Sequence, residues 1–448
     1  MQLYLYMLFF VVLFLDEISR ILGFNTPLVG VVPEVLSALA LFLVAINLAM
    51  RKRFDIDVKY VMFFCAFGLM LFTGAVINQL DPMASIGGLR IYIKYLPFFL
   101  IPIVYPFTDE QLKKQLVFIG ALLLLQLPLT LVQRFVLYGD GGSGDFVRGS
   151  FGTGSQLSIM LVCSIAVLIS AYFRKMITAP VFLVMLFLFF LPTTINETKG
   201  TLVLLPLALG IPVFLFRKHI SFAKIVGIAC AGVLSVSLYG ALYAYTQESF
   251  VGSTQTVFEF FTDSKKFLHY LAPRAAGYEV QEDRYGRLDR PMGAIEELSD
   301  DPVQLLIGLG IGSVTRARVE MFDGEQTTDD RLKALAVSSA PWLLLETGLL
   351  GALAWIVFFA MLFKDARYMN RQTGLDGVLG LAWAAVLPIF FLSLLYKHIV
   401  VVNALMYPFW LFTGHLVAVT YRRRRRDMVP PAFMDIDPIG VRGSSIGG

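Results

Sequence analysis

Charge is scarce in this chain. Asp, Glu, Lys and Arg make up 16% of its 448 residues, against roughly 25% in an ordinary soluble domain, which excludes a soluble globular fold. Cysteine is scarcer still: Cys65, Cys163 and Cys230 each sit inside an apolar run. Three scattered thiols build neither a disulfide framework nor a metal site, and no cofactor is expected. Alternation of polar and apolar residues is missing too. Residues 116–132 read LVFIGALLLLQLPLTLV, a continuous run that excludes an outer-membrane barrel. Ionisable residues are almost absent from the middles of such runs, Glu34 and Arg134 being the exceptions. Transporters place such residues near the bilayer midplane, so the functional groups are expected at a membrane interface instead.

What remains is a polytopic helical membrane protein, 57% hydrophobic. Apolar runs near 2–15, 28–50, 60–78, 91–107, 115–138, 156–172, 179–194, 200–216, 221–245, 340–363, 376–396 and 399–420 predict about twelve transmembrane helices. The first run lacks a basic leader and a small-residue cleavage site, and it reads as a retained helix. With the N-terminus inside, every inner connection is basic: Arg51 to Arg53, Lys113 and Lys114, Arg174 and Lys175, Arg217 and Lys218, Lys364 to Arg371, and finally Arg422 to Arg426. The positive-inside rule thus puts both termini in the cytoplasm. The expected organisation is nine helices over 1–245, a large external loop over 246–339, three helices over 340–420, and a disordered basic tail over 421–448 whose arginines hold the inner leaflet. The loop is long enough to fold as a small cap, with a helix around 293–299.

Cations gather on the predicted outer face. Arg90 and Lys94 open the fourth span, Arg148 lies in the glycine-rich stretch GDGGSGDFVRGSFGTG, Lys199 opens the eighth span, and Arg287 and Arg290 belong to the large loop. Guanidinium and ammonium groups converging there suit a lipid-linked diphosphate, the activated sugar form available outside the membrane. Taken singly, each cation is equally well a snorkelling side chain at a helix end.

The order of motifs is more specific. Arg287 and Leu288 precede a helix containing Ala294; Gly308, Gly310 and Gly312 form a Gly-x-Gly-x-Gly turn; and Glu346, Gly348, Leu349, Leu350 and Gly351 open a later helix. Together with RGSFGTGSQLS (148–158) and NETKGT (196–201), this arrangement resembles the O-antigen ligase and Wzy-type polysaccharide polymerase family over about two-thirds of the chain. The resemblance implies a GT-C-like membrane fold and a metal-independent inverting glycosyltransferase of the bacterial inner membrane, active on the periplasmic face. Its donor would be an undecaprenyl-diphosphate-linked oligosaccharide. A flippase and a chain-length regulator would be its partners besides membrane lipid, and nucleic acid would not. Arg287, Arg290, Arg148, Lys199 and Arg90 would hold the diphosphate.

Two departures stand out. Lys199 occupies the place of an arginine and loses the bidentate fork. Ligases of the family carry a histidine just before the Glu-x-Gly helix, where this chain has Val337, Ser338, Ser339 and Ala340. That absence favours a polymerase, with a carboxylate such as Glu282, Asp283, Glu296 or Glu197 accepting the proton. A ligase acting on lipid A core is the alternative, and a secondary transporter or lipid-linked sugar flippase is the rival of another class. The glycine triplet and Glu346 also read simply as a tight turn and a packing or capping residue.

Overall fold

The computed structural model of the protein describes residues 1–23, 27–137, 144–246, 285–317 and 320–427, with 248, 259, 262–263, 268 and 271–273 between them. Every regular element among the described residues is a helix. The first half comprises α1 (Gln2–Ile21), α2 (Val32–Arg51), α3 (Val58–Ile77), α4 (Pro82–Ile93), α5 (Leu96–Val104), α6 (Asp109–Leu124) and α7 (Gln126–Val132), the last prolonged by a π turn at Gln133–Leu137. Next come α8 (Gly154–Phe173), α9 (Ala179–Ile195), α10 (Gly200–Phe216) and α11 (Phe222–Thr246). Three short helices, α12 (Asp289–Leu298), α13 (Pro302–Ile307) and α14 (Asp330–Leu335), precede α15 (Ser339–Met369), α16 (Gly374–Tyr396) and α17 (Asn403–Asp427).

Each of the twelve apolar runs falls on a helix, yet the count by length and composition is smaller. Among the described residues nine helices qualify as membrane spans, or ten if α4 and α5 are one span bent by 41°. The bend has a local cause. Pro97 has no amide hydrogen to give the carbonyl of Ile93 and its ring crowds that carbonyl, so the helix breaks there. Arg90 and Lys94, expected at the start of a span, therefore sit at the bend between α4 and α5. Helix α9 is short at 17 residues, and α17 is diluted by Asn403, His415 and its arginines.

Helices α5, α8, α16 and α17 form the centre, and residues 404–420 of α17 are all buried. Lipid tails are as apolar as leucine, so close packing, not water exclusion, holds such helices together. Gly414 illustrates this: a Cβ there would lie 2.0 Å from the carbonyl oxygen of Phe99 on α5. Aromatic rings fill the remaining space, with Phe98 against Tyr407 and Phe390 against Phe409, each pair at 4.2 Å between centroids.

At the end carrying the arginine run, buried carboxylates clasp the last helix. Asp365 accepts from Lys59 Nζ and Tyr60 Oη at 2.8 Å and from Arg424 Nη2 at 2.7 Å. Arg423 bonds Asp376 at 2.6 Å, and Arg422 reaches Asp55 at 3.5 Å. These pairings bear on two expectations. The chain stays helical through Asp427, so a tail beginning at 421 would start inside a helix, and arginines 422–424 engage protein carboxylates instead of serving only the lipid surface. The residues beyond 427 in that expected tail lie outside the described ones.

Candidate functional site

At the opposite end, α15 is broken. Gly348 has φ 61° and ψ −164°, a conformation open only to glycine. The carbonyl of Leu345, which an unbroken helix would pair with residue 349, accepts instead from the Leu309 amide at 2.7 Å. The Gly-x-Gly-x-Gly segment is thus more than a turn, since it is inserted into the helix break. Gly308, Gly310 and Gly312 all have positive φ. A Cβ on Gly308 would meet the backbone of Glu346 to Gly348 within 2.6 Å, and one on Gly312 would lie 2.1 Å from the carbonyl oxygen of Ala84 on α4. Only bare backbone fits between these helices.

Glu346 closes the insertion. It is 1% exposed and accepts from Thr315 Oγ1 at 2.5 Å and Tyr92 Oη at 3.3 Å, with the amides of Gly312 and Val314 also turned to its carboxylate. A buried carboxylate supplied with this many donors has its lone pairs satisfied. In the structure Glu346 anchors the loop, leaving Arg316 next in line after Thr315.

Val314, Thr315 and Arg316 line a polar cavity of about 420 Å³. Glu34 of α2, Arg90 and Lys94 at the bend, Lys333 of α14, Trp342 of α15, His398 of the α16–α17 link and Asn403 complete its polar and aromatic wall. Four cations thus face one carboxylate among the lining residues. Glu34 lies 3.5 Å from Arg90, and Lys333 pairs with Asp330 at 2.6 Å. Lys94 stands 4.7 Å from the Tyr95 ring centroid. His398 is placed by Ser339 Oγ, 3.3 Å from its Nδ1, and by the Trp342 ring at 5.1 Å. Burial, helped by the charge on Lys94, pushes this imidazole down to about 4, so it is neutral at physiological pH.

The cavity shares Ile91 and Trp342 with an apolar slot of about 230 Å³ lined by Phe63, Phe64, Phe67, Trp355, Phe358 and Trp410. Charge and aromatic surface therefore meet at one wall. Such a site fits an amphiphile with an anionic head.

The other expected cations gather elsewhere. The Arg287 guanidinium lies 3.9 Å over the ring of Tyr396, a ring that a Cβ on Gly200 would approach to 3.1 Å, and Lys199 is 5.9 Å from the Tyr243 centroid. Arg290 lies in the first turn of α12, and Glu296 is exposed farther along that helix. Arg148 bonds the Gly152 carbonyl at 3.3 Å, while buried Gln133 receives the amides of Arg148 and Gly149 at 3.0 and 2.8 Å. Glu197 forms an ion pair of 2.8 Å with Arg134, which is fully buried. Asn196 ties the two polar turns together by bonding Gly154 and Ser158 at 2.9 and 3.1 Å. Glu282 and Asp283 lie outside the described residues.

Of the residues proposed for diphosphate binding, Arg90 lines the polar cavity, while Arg287 lies over Tyr396 and Lys199 near Tyr243. Sequence reasoning missed Arg316, Lys333 and His398 as cavity residues, and noted Glu34 only as an unusual charge within a span. That anomaly was the one available signal, since a carboxylate inside an apolar helix needs a reason. Compared with protein-family models and with curated proteins, the chain gives no significant match to either.

Proposed function

We propose that the chain is a polysaccharide polymerase with a GT-C-like fold that joins lipid-diphosphate-linked oligosaccharide units on the outer face of the bacterial inner membrane. One observation carries this reading: the cation-lined cavity lies against an aromatic, apolar slot, the two sharing Ile91 and Trp342 in their walls. A sugar diphosphate on an undecaprenyl carrier has that pattern of charge and apolar surface. Arg90, Lys94 and Arg316 hold the diphosphate and stabilise it as it leaves. The basic connections at the opposite end, with the arginine run, support an outward orientation of this cavity.

In the transfer, an acceptor hydroxyl oxygen bonds to the anomeric carbon. The carbon–oxygen bond to the diphosphate breaks, with its electron pair going to the leaving group. The hydroxyl proton passes to a carboxylate, for which Glu34 is the cavity's own candidate. A polymerase handles two lipid-linked units. Arg287 over Tyr396, Lys199 beside Tyr243, and Arg148 and Arg290 are the cations assigned to the second.

The test is the purified protein in lipid with a single undecaprenyl-diphosphate-linked repeat unit. A ladder of longer lipid-linked chains and release of undecaprenyl diphosphate is the expected outcome. Arg90→Ala and Arg287→Ala should each abolish the ladder while leaving insertion and thermal stability unchanged; wild-type chain lengths in both would refute the reading. A ligase is the second reading, because His398 stands against Ser339, within the stretch where ligases of the resembled family carry their histidine. Transfer that begins only after lipid A core is added would select it, and inertness in both arms would favour transport.

A further inference from the structure

Ser339 and His398 are 59 residues apart in sequence, and their contact fixes more than the position of the ring. Ser339 Oγ already accepts two backbone amides, from Ile399 at 2.8 Å and from Val400 at 3.2 Å. A hydroxyl oxygen has two lone pairs and one hydrogen. With both lone pairs occupied, Ser339 has only its hydrogen to offer, and His398 Nδ1 stands 3.3 Å away to receive it. Were Nδ1 to carry a hydrogen, three donors would compete for two lone pairs and the serine hydrogen would be stranded. Nδ1 is therefore the acceptor, and a neutral ring then carries its hydrogen on Nε2.

We infer that His398 is a tautomer-locked, neutral hydrogen-bond donor, presenting Nε2–H to a phosphate oxygen of the ligand in the polar cavity, and is not its proton acceptor. The inference rests on the reading of that cavity as an anionic headgroup site. It divides the labour among the wall residues. Arg90, Lys94, Arg316 and Lys333 supply charge, Glu34 supplies the only carboxylate among the lining residues, and His398 supplies direction without charge. Because those four cations face it, protonation of the ring would add a fifth positive charge to the same wall. A neutral donor avoids that repulsion and still bonds an oxyanion.

The experiment uses the full chain in lipid nanodiscs with 15N-labelled histidine. The chain has four histidines, and His398→Gln identifies the relevant resonances. The expected spectrum shows Nδ1 unprotonated and Nε2 protonated, unchanged between about pH 5 and 8, the interval where an ordinary histidine titrates. A hydrogen on Nδ1, or a titration midpoint within that interval, overturns the inference. Inorganic pyrophosphate is then added as the probe, and the Nε2 signal should shift saturably. His398→Leu should weaken pyrophosphate binding about 10-fold or more, as loss of a hydrogen bond to a charged group does. His398→Gln, whose amide can still donate, should recover most of the loss. Equal losses in both variants, or none in either, overturn the donor role. If the wild-type protein binds no pyrophosphate, the headgroup reading falls with the donor role, an outcome distinct from a failed tautomer assignment because the nitrogen shifts are read without ligand.

Discussion

Gly348→Ala should be among the most damaging single methyl additions in this protein. At φ 61° and ψ −164°, any residue with a Cβ is strained by about 1–3 kcal/mol. The new carbon would also lie 2.4 Å from the Leu306 carbonyl oxygen and 2.5 Å from the Gly308 nitrogen. Both are backbone atoms, so no side chain can rotate away, and overpacking of this kind adds about 1–3 kcal/mol. A total near 4 kcal/mol shifts the unfolding equilibrium roughly a thousandfold, at about 1.4 kcal/mol per factor of ten. Reversible unfolding in mixed detergent micelles, followed by tryptophan fluorescence, measures it. Gly210→Ala is the control, since its Cβ would meet nothing within 4 Å in mid-helix and the change should be neutral or stabilise by up to about 1 kcal/mol. Gly308→Ala should cost a similar amount to Gly348→Ala, and the double variant less than the sum, because each methyl pushes the same two strands of backbone apart. A Gly348→Ala protein within 1 kcal/mol of wild type would refute the mutual insertion of loop and helix break.

Three further outcomes follow from the geometry. Glu197→Ala removes the 2.8 Å ion pair to buried Arg134 and should cost up to about 3–5 kcal/mol, whereas Glu197→Ala with Arg134→Met should recover most of it; equal stabilities of Glu197→Ala and wild type in the same unfolding assay would contradict the pairing. Gly68 lines the apolar slot with open space before its Cβ, so Gly68→Leu should leave thermal stability intact while raising KM for a long-chain prenyl donor more than for a short-chain one; an equal effect on both donors would separate the slot from the lipid tail. The native chain keeps His398 neutral down to about pH 4 while the unfolded chain protonates it near 6.5. The unfolded state thus binds more protons across that window, and the contribution present above pH 6.5 is lost as pH falls towards 4. His398→Gln should flatten this part of a Tm-against-pH curve, and parallel curves would count against it.

The sequence made the helices legible because a run of some twenty apolar residues has few other fates. It made the bend at Lys94 readable in principle, through Pro97, but the apolar run continued across it and hid the break. The glycine triplet was legible as a turn, not as a plug in a helix 35 or more residues later, because periodicity carries no information on which backbones touch. The polar cavity was the least legible feature. Its wall draws Glu34, Arg90, Arg316 and His398 from four separate segments, and each alone has an ordinary explanation. The missing histidine shows the same limit: absent from positions 337–340 in sequence, one arrives beside Ser339 from the α16–α17 link. The arginine run looked like a lipid anchor because its carboxylate partners, Asp55, Asp365 and Asp376, are scattered over three other segments.

The position of α17 has a consequence for biogenesis. This helix carries an unbroken buried stretch over 404–420 yet is too polar to qualify as a span by hydropathy, and it follows all the helices that surround it in the chain. During synthesis α1, α5, α15 and α16 are all made before their shared partner exists. Until it arrives, the aromatic faces of α5 and α16 lack their partner rings, and Asp365 and Asp376 lack Arg424 and Arg423. Membrane insertion of the earlier helices and closure of the bundle are therefore separate events, and the second waits on the least hydrophobic of the long helices.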